Sequence, residues 1–410
     1  MISARTVSLI LTTIWVIVFF ITRKKQITSK WYFYLLFIMS TAGIFLDLDK
    51  LIYYVTQSYS FLNIALFAIL LLLVLIPWMA YDKWLKNTRF VINERYMGLL
   101  KLLYVVLFLL SVFCLLYCMP YAIMAISIGA EDIRNSGEGF LLPRSFLTTM
   151  ATGVATLAPV GLLLFYIGLL DKRLKIYSLG VLLVPLASVV HSMACAGREM
   201  YVFLPITFIV LYVAFSKSLS LRQRKLLKRI MILGGAFLAF FFITITKSRF
   251  GEFGSDYFIS GTWGYLYQQP YVFDQTLQFF DNYKGFSKSL TFIGNIFGAY
   301  TQQTEILYRM EWSFGTMYKA FYEMYGYSSL IIGSIIYTAI FTIMAKSCLK
   351  KTNTFSTMFN FVIFIWFTIS GLFYFRYGAI DAQFILYMMM VLLSPLYPRI
   401  VLVYNSGKLC

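Results

Sequence analysis

Charged residues are scarce in this chain, and histidine is almost absent. Only 13% of the 410 residues are Asp, Glu, Lys or Arg, one residue is a histidine, and 60% are hydrophobic. A soluble protein of this length could not bury so much apolar surface, so a lipid bilayer is the expected solvent. A chain with one histidine also cannot build a His-rich metal site.

The signatures of the common soluble enzyme classes are missing as well. The sequence contains no Walker A loop, no HExxH, no GxSxG and no dinucleotide-binding fingerprint. Asp47 and Asp49 formally match a DxD pair, but they end an apolar run before a lysine and do not indicate a metal site. The five cysteines are scattered, and Cys114 and Cys118 share a helix face as small buried side chains. We predict no metal, no cofactor and no disulfide framework.

Long apolar runs are present along almost the whole chain. Runs of roughly 17–25 residues have the length that a bilayer-spanning helix requires. They predict an all-α polytopic membrane protein with about eleven transmembrane helices and three parts: spans one to eight in 1–246, one large loop in 247–327, and spans nine to eleven with a tail in 328–410. The predicted spans are 6–22, 31–46, 61–80, 102–128, 146–170, 176–196, 201–216, 230–246, 328–345, 357–375 and 382–403.

The net charge of +18 would suggest nucleic acid, but its distribution indicates topology instead. Alternation of the spans places 23 of the 35 basic residues and three acids in inner segments, and 12 basic and 14 acidic residues outside. This positive-inside pattern predicts an N-terminus on the outer side, a cytoplasmic C-terminus and no nucleic-acid partner. The first span is followed by Arg23-Lys24-Lys25, the reverse of a cleavable signal peptide, so we expect it to be retained.

The outer basic residues favour arginine: seven of twelve outside are Arg, against eight of twenty-three inside. Topology requires only positive charge, whereas the guanidinium fork suits bidentate binding of phosphate or carboxylate. The preference therefore points to an anionic ligand at the outer face.

The large outer loop, residues 247–327, is unusually aromatic, with 24 Phe, Tyr or Trp among 81 residues. It is too polar to span and too apolar to be a freely solvated loop. We expect short amphipathic helices near 264–283 and 302–325, lying at the membrane face and partly folded back over the bundle. The loop is thus predicted to be a partly helical periplasmic segment.

The outer corner between spans six and seven carries adjacent opposite charges, Arg198 and Glu199. A charge at membrane depth is costly and usually faces a cavity or a partner. His191 lies seven residues earlier, two helical turns down on the same face. These residues predict an anion-binding corner with a titratable group beneath it. The alternative is a polar turn in which His191 donates to a neighbouring helix.

Three further outer arginines are candidates for the same ligand. Arg249 lies beside Glu252 in a segment with two glycines, which would allow close approach of a ligand, although basic residues there also serve as interfacial anchors. Arg309 is spaced to pair with Glu305 on a helix surface. Arg376 closes span ten next to aromatic residues. The Lys319 and Glu323 pair we interpret as an ordinary surface ion pair.

Aromatic and amide side chains alternate around Trp263, Tyr265 and Tyr267, and Trp312 lies beside the later charged cluster. Aromatic faces pack against the C–H faces of sugars while amides and phenols satisfy hydroxyls, which suggests a carbohydrate groove. An interfacial aromatic belt would account for the rings without any sugar.

The organisation of nearly the whole chain resembles the bacterial oligosaccharide repeat-unit polymerases, the O-antigen polymerase (Wzy) family. The similarity lies in about eleven spans, one long outer loop late in the sequence and outer arginines. Two short motifs, residues 196–199 and 248–251, also contribute to the resemblance. Some members have a glycine eleven positions after such an arginine, where this chain has Ile209 and Ser260.

The resemblance implies a metal-independent GT-C-type glycosyltransferase of the bacterial inner membrane with its active site facing the periplasm. Such an enzyme transfers a growing glycan from undecaprenyl pyrophosphate to the non-reducing end of an incoming lipid-linked repeat unit. Fixed guanidiniums would stabilise the departing pyrophosphate, with Arg198 and Arg249 as main ligands and Arg309 and Arg376 as secondary ones. The general base stays open among His191, Glu199 and Glu252.

Two other functions remain alternatives at this point. An O-antigen ligase would deliver the glycan to a lipid A core, and a flippase would move the same lipid-linked unit without changing it covalently. Transporters tend to show internal repeats and midplane charges, which this sequence lacks. The expected partners are the lipid-linked oligosaccharide as donor and acceptor and membrane lipid, and the need for a chain-length regulator is left open.

Overall fold

The structure is a computed structural model, and it describes residues 2–45, 58–86, 88–128, 141–143, 145–195, 197, 199–250, 267–279, 316–350, 354–373, 382–405 and 408–409. The prediction of a helical membrane protein is confirmed. Within the described residues, seven helices are long and apolar enough to cross a membrane, or eight if one bent pair counts as a single span.

Helices account for most of the described chain. In chain order they are α1 Ala4–Thr22, α2 Ser29–Phe45, α3 Phe61–Leu73, α4 Leu75–Leu85, α5 Met97–Ile128, α6 Phe146–Thr156, α7 Ala158–Gly168, α8 Lys175–Val181, α9 Leu183–Ala194, α10 Met200–Phe215, α11 Leu221–Phe250, α12 Gln269–Phe279, α13 Met317–Tyr325, α14 Tyr327–Lys350, α15 Thr354–Phe373 and α16 Ala382–Leu393. The short strands are β1 Arg89–Ile92, β2 Val401–Asn405 and β3 Lys408–Leu409.

Each predicted span contains helix, but several are broken. The span predicted at 146–170 is the bent pair α6 and α7, whose axes differ by 47°. Pro159, in the first turn of α7, supplies no N–H to continue the hydrogen-bond ladder, which accounts for the bend. With the bent pair counted as one span the described residues give eight, and α10 is among the apolar helices too short to pass by length.

The prediction of a span over 382–403 is wrong at its end. Helix α16 ends at Leu393, and a strand occupies 401–405. Pro395 and Pro398 interrupt the helix, and the β-branched residues that follow favour an extended strand. The apolar character that suggested a continuing helix belongs instead to a strand.

The strands form an antiparallel sheet in the order β1-β2-β3, which the all-α prediction did not include. Arg89 pairs with Tyr404 and Ile92 with Val401, while Tyr404 also pairs with Leu409. The sheet joins two segments that the charge distribution places on the inner side.

The chain divides into two compact units. Unit 1 comprises Met1–Lys83, Ser255–Lys346 and Phe367–Leu392, and unit 2 comprises Trp84–Gly254, Ser347–Trp366 and Leu393–Cys410.

One end of unit 1 is organised by the buried carboxylate of Asp82. It accepts backbone N–H bonds from Ile27, Thr28 and Ser29 at 2.9, 2.8 and 3.1 Å, and hydroxyl bonds from Thr28 and Ser29 at 2.6 and 2.5 Å. These N–H groups lie at the start of α2, where no helical carbonyl can accept them. Asp82 of α4 thereby caps α2 from outside that helix.

The inner segments of unit 2 also contact one another. Arg173 forms an ion pair with Glu94 at 3.0 Å, and the backbone N–H of Phe90 donates to Ser218 Oγ at 2.8 Å. Lys217 Nζ donates to the carbonyl of Lys86. Segments that the charge distribution assigns to one side therefore meet at one end of this unit.

Small side chains bring α5, α6 and α9 close together in unit 2. Because small residues let helix backbones approach closely in membranes, this cluster fixes the C-terminal part of α9 against its neighbours. The buried members are Cys114, Cys118, Ala122, Leu142, Ala151, Val154, Ala187, Val190 and Ala194.

Candidate functional site

The candidate site is the corner between α9 and α10, where the sequence predicts an anion-binding turn. Helix α9 ends in a tight turn, since Cys195 N–H donates to the His191 carbonyl at 3.1 Å and Gly197 N–H to the Ser192 carbonyl at 2.7 Å. These bonds satisfy carbonyls at the helix end that have no helical donor. The corner is therefore a defined turn built on α9.

Glu199 begins α10 and is half-buried. Its carbonyl accepts the N–H groups of Val202 and Phe203 at 3.1 and 3.0 Å, which fixes its backbone. Its carboxylate lies over Gly197: a Cβ built on that glycine would stand 2.7 Å from Glu199 Oε2 and 2.8 Å from Ser192 Oγ. A carboxylate is also favoured by the positive end of the helix dipole.

His191 is buried in α9, and its Nε2 lies 3.0 Å from Thr152 Oγ1 of α6. This contact corresponds to the plainer of the two interpretations of His191, a hydrogen bond to a neighbouring helix. The contact directs Nε2 towards α6.

Three buried hydroxyls lie near this corner: Ser188 and Ser192, one helical turn apart on α9, and Tyr201 in the first turn of α10. Within the described residues, none of these oxygens has a hydrogen-bond partner. Burying a hydroxyl without a partner costs about 1–3 kcal/mol, so such groups gain from any ligand that can reach them. The corner thus combines a half-buried carboxylate with three buried hydroxyls.

Most of the other predicted site residues lie outside the described residues. Arg249 lies in the last turn of α11, whose helix continues to Phe250 beyond the predicted span end at 246, and its side chain is not described. The residues outside the description are Arg198, Glu252, Trp263, Tyr265, Arg309, Trp312 and Arg376.

Two helices of the large loop are described, α12 and α13, and both belong to unit 1. Nearly every residue of each is buried, whereas helices lying at the membrane face would expose one side. Tyr322 Oη of α13 donates to the Leu277 carbonyl of α12 at 3.4 Å. The two predicted helices are therefore present in part, as α12 and α13, and their burial fits the predicted folding back but not an exposed position on the membrane face.

Tyr267, a predicted sugar-binding residue, is fully buried. Its ring faces are therefore covered, so it offers no flat surface for stacking on a sugar. Within the described part of the chain its hydroxyl has no hydrogen-bond partner. Burial raises its pKa to about 12, so the phenol is neutral at physiological pH.

Helix α12 is attached to the N-terminal helices through two polar side chains. Tyr271 Oη donates to the Ala4 carbonyl at 3.0 Å and lies 2.8 Å from Ser8 Oγ. Asp274 Oδ1 accepts from the Asn63 amide at 2.9 Å. Its other bonds come from Ser60 N–H at 3.2 Å and the Gln278 amide at 2.6 Å. These contacts fix α12 against α1 and α3.

The interpretation of Lys319 and Glu323 as an ordinary surface ion pair is also wrong. Both side chains are buried in α13, with Lys319 Nζ 3.7 Å from a carboxylate oxygen of Glu323. The i, i+4 spacing is the same for exposed and buried pairs, so only the fold distinguishes them. The buried hydrogen bonds of Asp274 could not be predicted from the sequence for a related reason. Its partners Ser60 and Asn63 lie more than 200 positions away in the chain.

Asp274 gives a prediction for the pH dependence of stability. Burial raises its pKa, against the opposing effect of its bonds from Asn63, Ser60 and Gln278. A raised pKa in the folded state means that the protonated form is favoured by folding. This contribution is fully present below about pH 4 and is lost as pH rises through the raised pKa. The thermal midpoint of Asp274→Asn, measured relative to that of the wild type, should therefore increase as pH rises from 4 to 7.

Asp171 provides the matched control, because the bond from Arg173 lowers its pKa. Asp171→Asn should show the opposite sign, with the variant losing stability relative to the wild type above pH 4. Thermal unfolding of the detergent-purified proteins, followed by tryptophan fluorescence, measures both differences. A difference for Asp274→Asn that does not change with pH would contradict the assignment.

Comparison with known proteins adds no relative: no protein-family model, no curated protein and no solved structure matches the chain. The site must therefore be interpreted from its own residues. Within the described residues, no group of three or more His, Cys, Asp or Glu side chains could hold a metal ion.

Proposed function

We propose that this protein is a polysaccharide polymerase of the bacterial inner membrane. It transfers a growing glycan from undecaprenyl pyrophosphate to the non-reducing end of an incoming repeat unit carried on the same lipid. In this proposal the chain has eleven spans, its N-terminus and the site corner face the periplasm, and its C-terminus is cytoplasmic. The lipid-linked oligosaccharide serves as both donor and acceptor.

The observation that carries the proposal is the corner of residues 195–201. There the Glu199 carboxylate and the Ser192 hydroxyl approach the same point over Gly197, and Arg198 stands between Gly197 and Glu199 in the chain. Glycosyl transfer from a pyrophosphate needs a cation where negative charge grows and a base for the attacking hydroxyl. An arginine adjoining a carboxylate at the end of an apolar bundle meets both requirements.

The topology in this proposal is supported by contacts as well as by charge. In unit 1, Asp82 meets residues 27–29 at one end, while Ile2 pairs with Tyr59 and Ser60 with Asp274 at the other. In unit 2 the sheet, Arg173 and Glu94 lie together. Predicted inner segments thus contact inner segments, and predicted outer segments contact outer ones.

Supplying the purified protein with one substrate tests the function. Wild-type protein in lipid nanodiscs, given only the undecaprenyl-pyrophosphate-linked repeat unit, should form a ladder of products that differ by one unit. The ladder should persist with a metal chelator, and free oligosaccharide without the lipid pyrophosphate should give none. A product formed only when lipid A core is added would indicate a ligase, and movement of substrate without covalent change would indicate a flippase.

A further inference from the structure

Gly197 occupies a position in which an added side chain would meet the ends of two others. A Cβ there would lie 2.7 Å from Glu199 Oε2, 3.0 Å from Glu199 Oε1 and 2.8 Å from Ser192 Oγ. Real Cβ atoms essentially never approach other atoms below 3.0 Å, so an alanine would displace the carboxylate or the hydroxyl. The absence of a side chain at 197 is therefore what allows the Glu199 carboxylate to fold back towards α9.

The backbone that carries the carboxylate is fixed by hydrogen bonds. The backbone of Glu199 is bound into the first turn of α10 by Val202 and Phe203, and that of Gly197 by the carbonyl of Ser192. The Ser192 hydroxyl is buried and has no hydrogen-bond partner within the described residues. Its capacity to donate is therefore not used by any described residue.

The other described candidate for a base is less accessible. His191 is 7% exposed and its Nε2 contacts Thr152, whereas Glu199 is half-buried at the end of the helix. A general base must come within hydrogen-bond reach of the proton it removes. Accessibility favours Glu199.

We propose that Glu199 is the catalytic base of glycosyl transfer, and that Gly197 is a positioning residue that leaves room for its carboxylate. This inference rests on the proposed function. The acceptor hydroxyl oxygen attacks the anomeric carbon of the donor, and a new C–O bond forms as the bond to the pyrophosphate oxygen breaks. The hydroxyl proton passes to Glu199, and undecaprenyl pyrophosphate leaves with the electron pair of the broken bond.

The groups around the carboxylate are consistent with this role. Tyr201, in the same first turn of α10, is close enough for the carboxylate charge to act on its phenol. His191 lies at the end of α9, and Arg198 adjoins Glu199 in the chain. Because the transfer is a single displacement, the product linkage should have the inverted anomeric configuration.

The test compares four variants in the polymer-ladder assay across pH. Glu199→Gln keeps the shape of the side chain and should lower kcat/KM by at least 100-fold, with loss of the acidic limb of the wild-type pH profile. Glu199→Asp should retain part of the rate and that limb. Gly197→Ala should lower kcat about 10- to 100-fold with little change in KM, because the carboxylate is displaced. Gly153→Ala is the matched control, since nothing lies within 4 Å of its added Cβ, and should match the wild type.

A double variant keeps the test decisive if Gly197→Ala folds poorly. Aspartate shortens the side chain and relieves the clash, so adding Gly197→Ala to Glu199→Asp should cost less than adding it to the wild type. An active Glu199→Gln with an unchanged pH profile, or a product with retained configuration, would overturn the assignment alone. A wild-type protein that makes no polymer would overturn the proposed function and, with it, this inference.

Discussion

Replacing Arg198 by alanine is expected to lower kcat for polymer formation about 100- to 1,000-fold, the usual effect of removing one preorganised donor to a developing negative charge. The pyrophosphate gains charge as the glycosidic bond breaks, so the loss should appear in kcat more than in KM. Arg198→Lys keeps the charge but not the bidentate fork, so its kcat should lie between those of the alanine variant and the wild type. Ladder formation from the lipid-linked repeat unit measures all three.

The control for this experiment is an exposed arginine in a segment that the charge distribution places on the inner side. Arg173 is 52% exposed and bound to Glu94 and Asp171, so Arg173→Ala should leave ladder formation unchanged. The same pair of substitutions at Arg249, Arg309 and Arg376 would rank the secondary ligands. Wild-type rates in Arg198→Ala would remove that residue from the site, and full activity in every lysine variant would show that the guanidinium geometry does not matter.

The second large effect is expected on stability. Asp82→Ala should lower the free energy of unfolding by about 3–4 kcal/mol, because it leaves buried donors at the start of α2 without an acceptor. The carboxylate accepts five hydrogen bonds from Ile27, Thr28 and Ser29 in the wild type. Reversible unfolding in a denaturing detergent, followed by tryptophan fluorescence, measures the change.

Glu94→Ala is the matched control for the loss of a carboxylate. The Glu94 side chain is 79% exposed, and exposed ion pairs contribute about 0–1 kcal/mol. The free energies of unfolding of Asp82→Ala and Glu94→Ala should therefore differ by more than about 2 kcal/mol. Equal effects would mean that Asp82 does not cap α2 in the folded protein.

The helices could be predicted from the sequence because the bilayer imposes their length and apolar character. The end of the last predicted span could not, because an apolar run does not distinguish a helix from a strand. Pro395 and Pro398 were the available signal in that run. The bend at Pro159 was likewise visible as a proline within an apolar segment.

The site could be predicted only in its local part. The adjacency of Gly197, Arg198 and Glu199 drew attention to the corner, but the approach of Glu199 to Ser192 depends on how α9 ends and is not encoded by spacing. The burial of α12 could not be predicted from the sequence for another reason. Its polar residues find partners far away in the chain, as Asp274 does at Asn63, so local composition suggested a surface helix.

The pairing of β1 with β2 has a consequence for biosynthesis. Asn93, beside β1, bonds to Arg399, beside β2, across 306 positions of chain. At about 5–20 residues per second, β1 emerges some 15–60 seconds before its partner strand is made. During that interval its edge has no strand to bind, and it is exposed to pairing with other nascent chains. Translation speed over the stretch between the two strands should therefore influence the yield of correctly assembled protein.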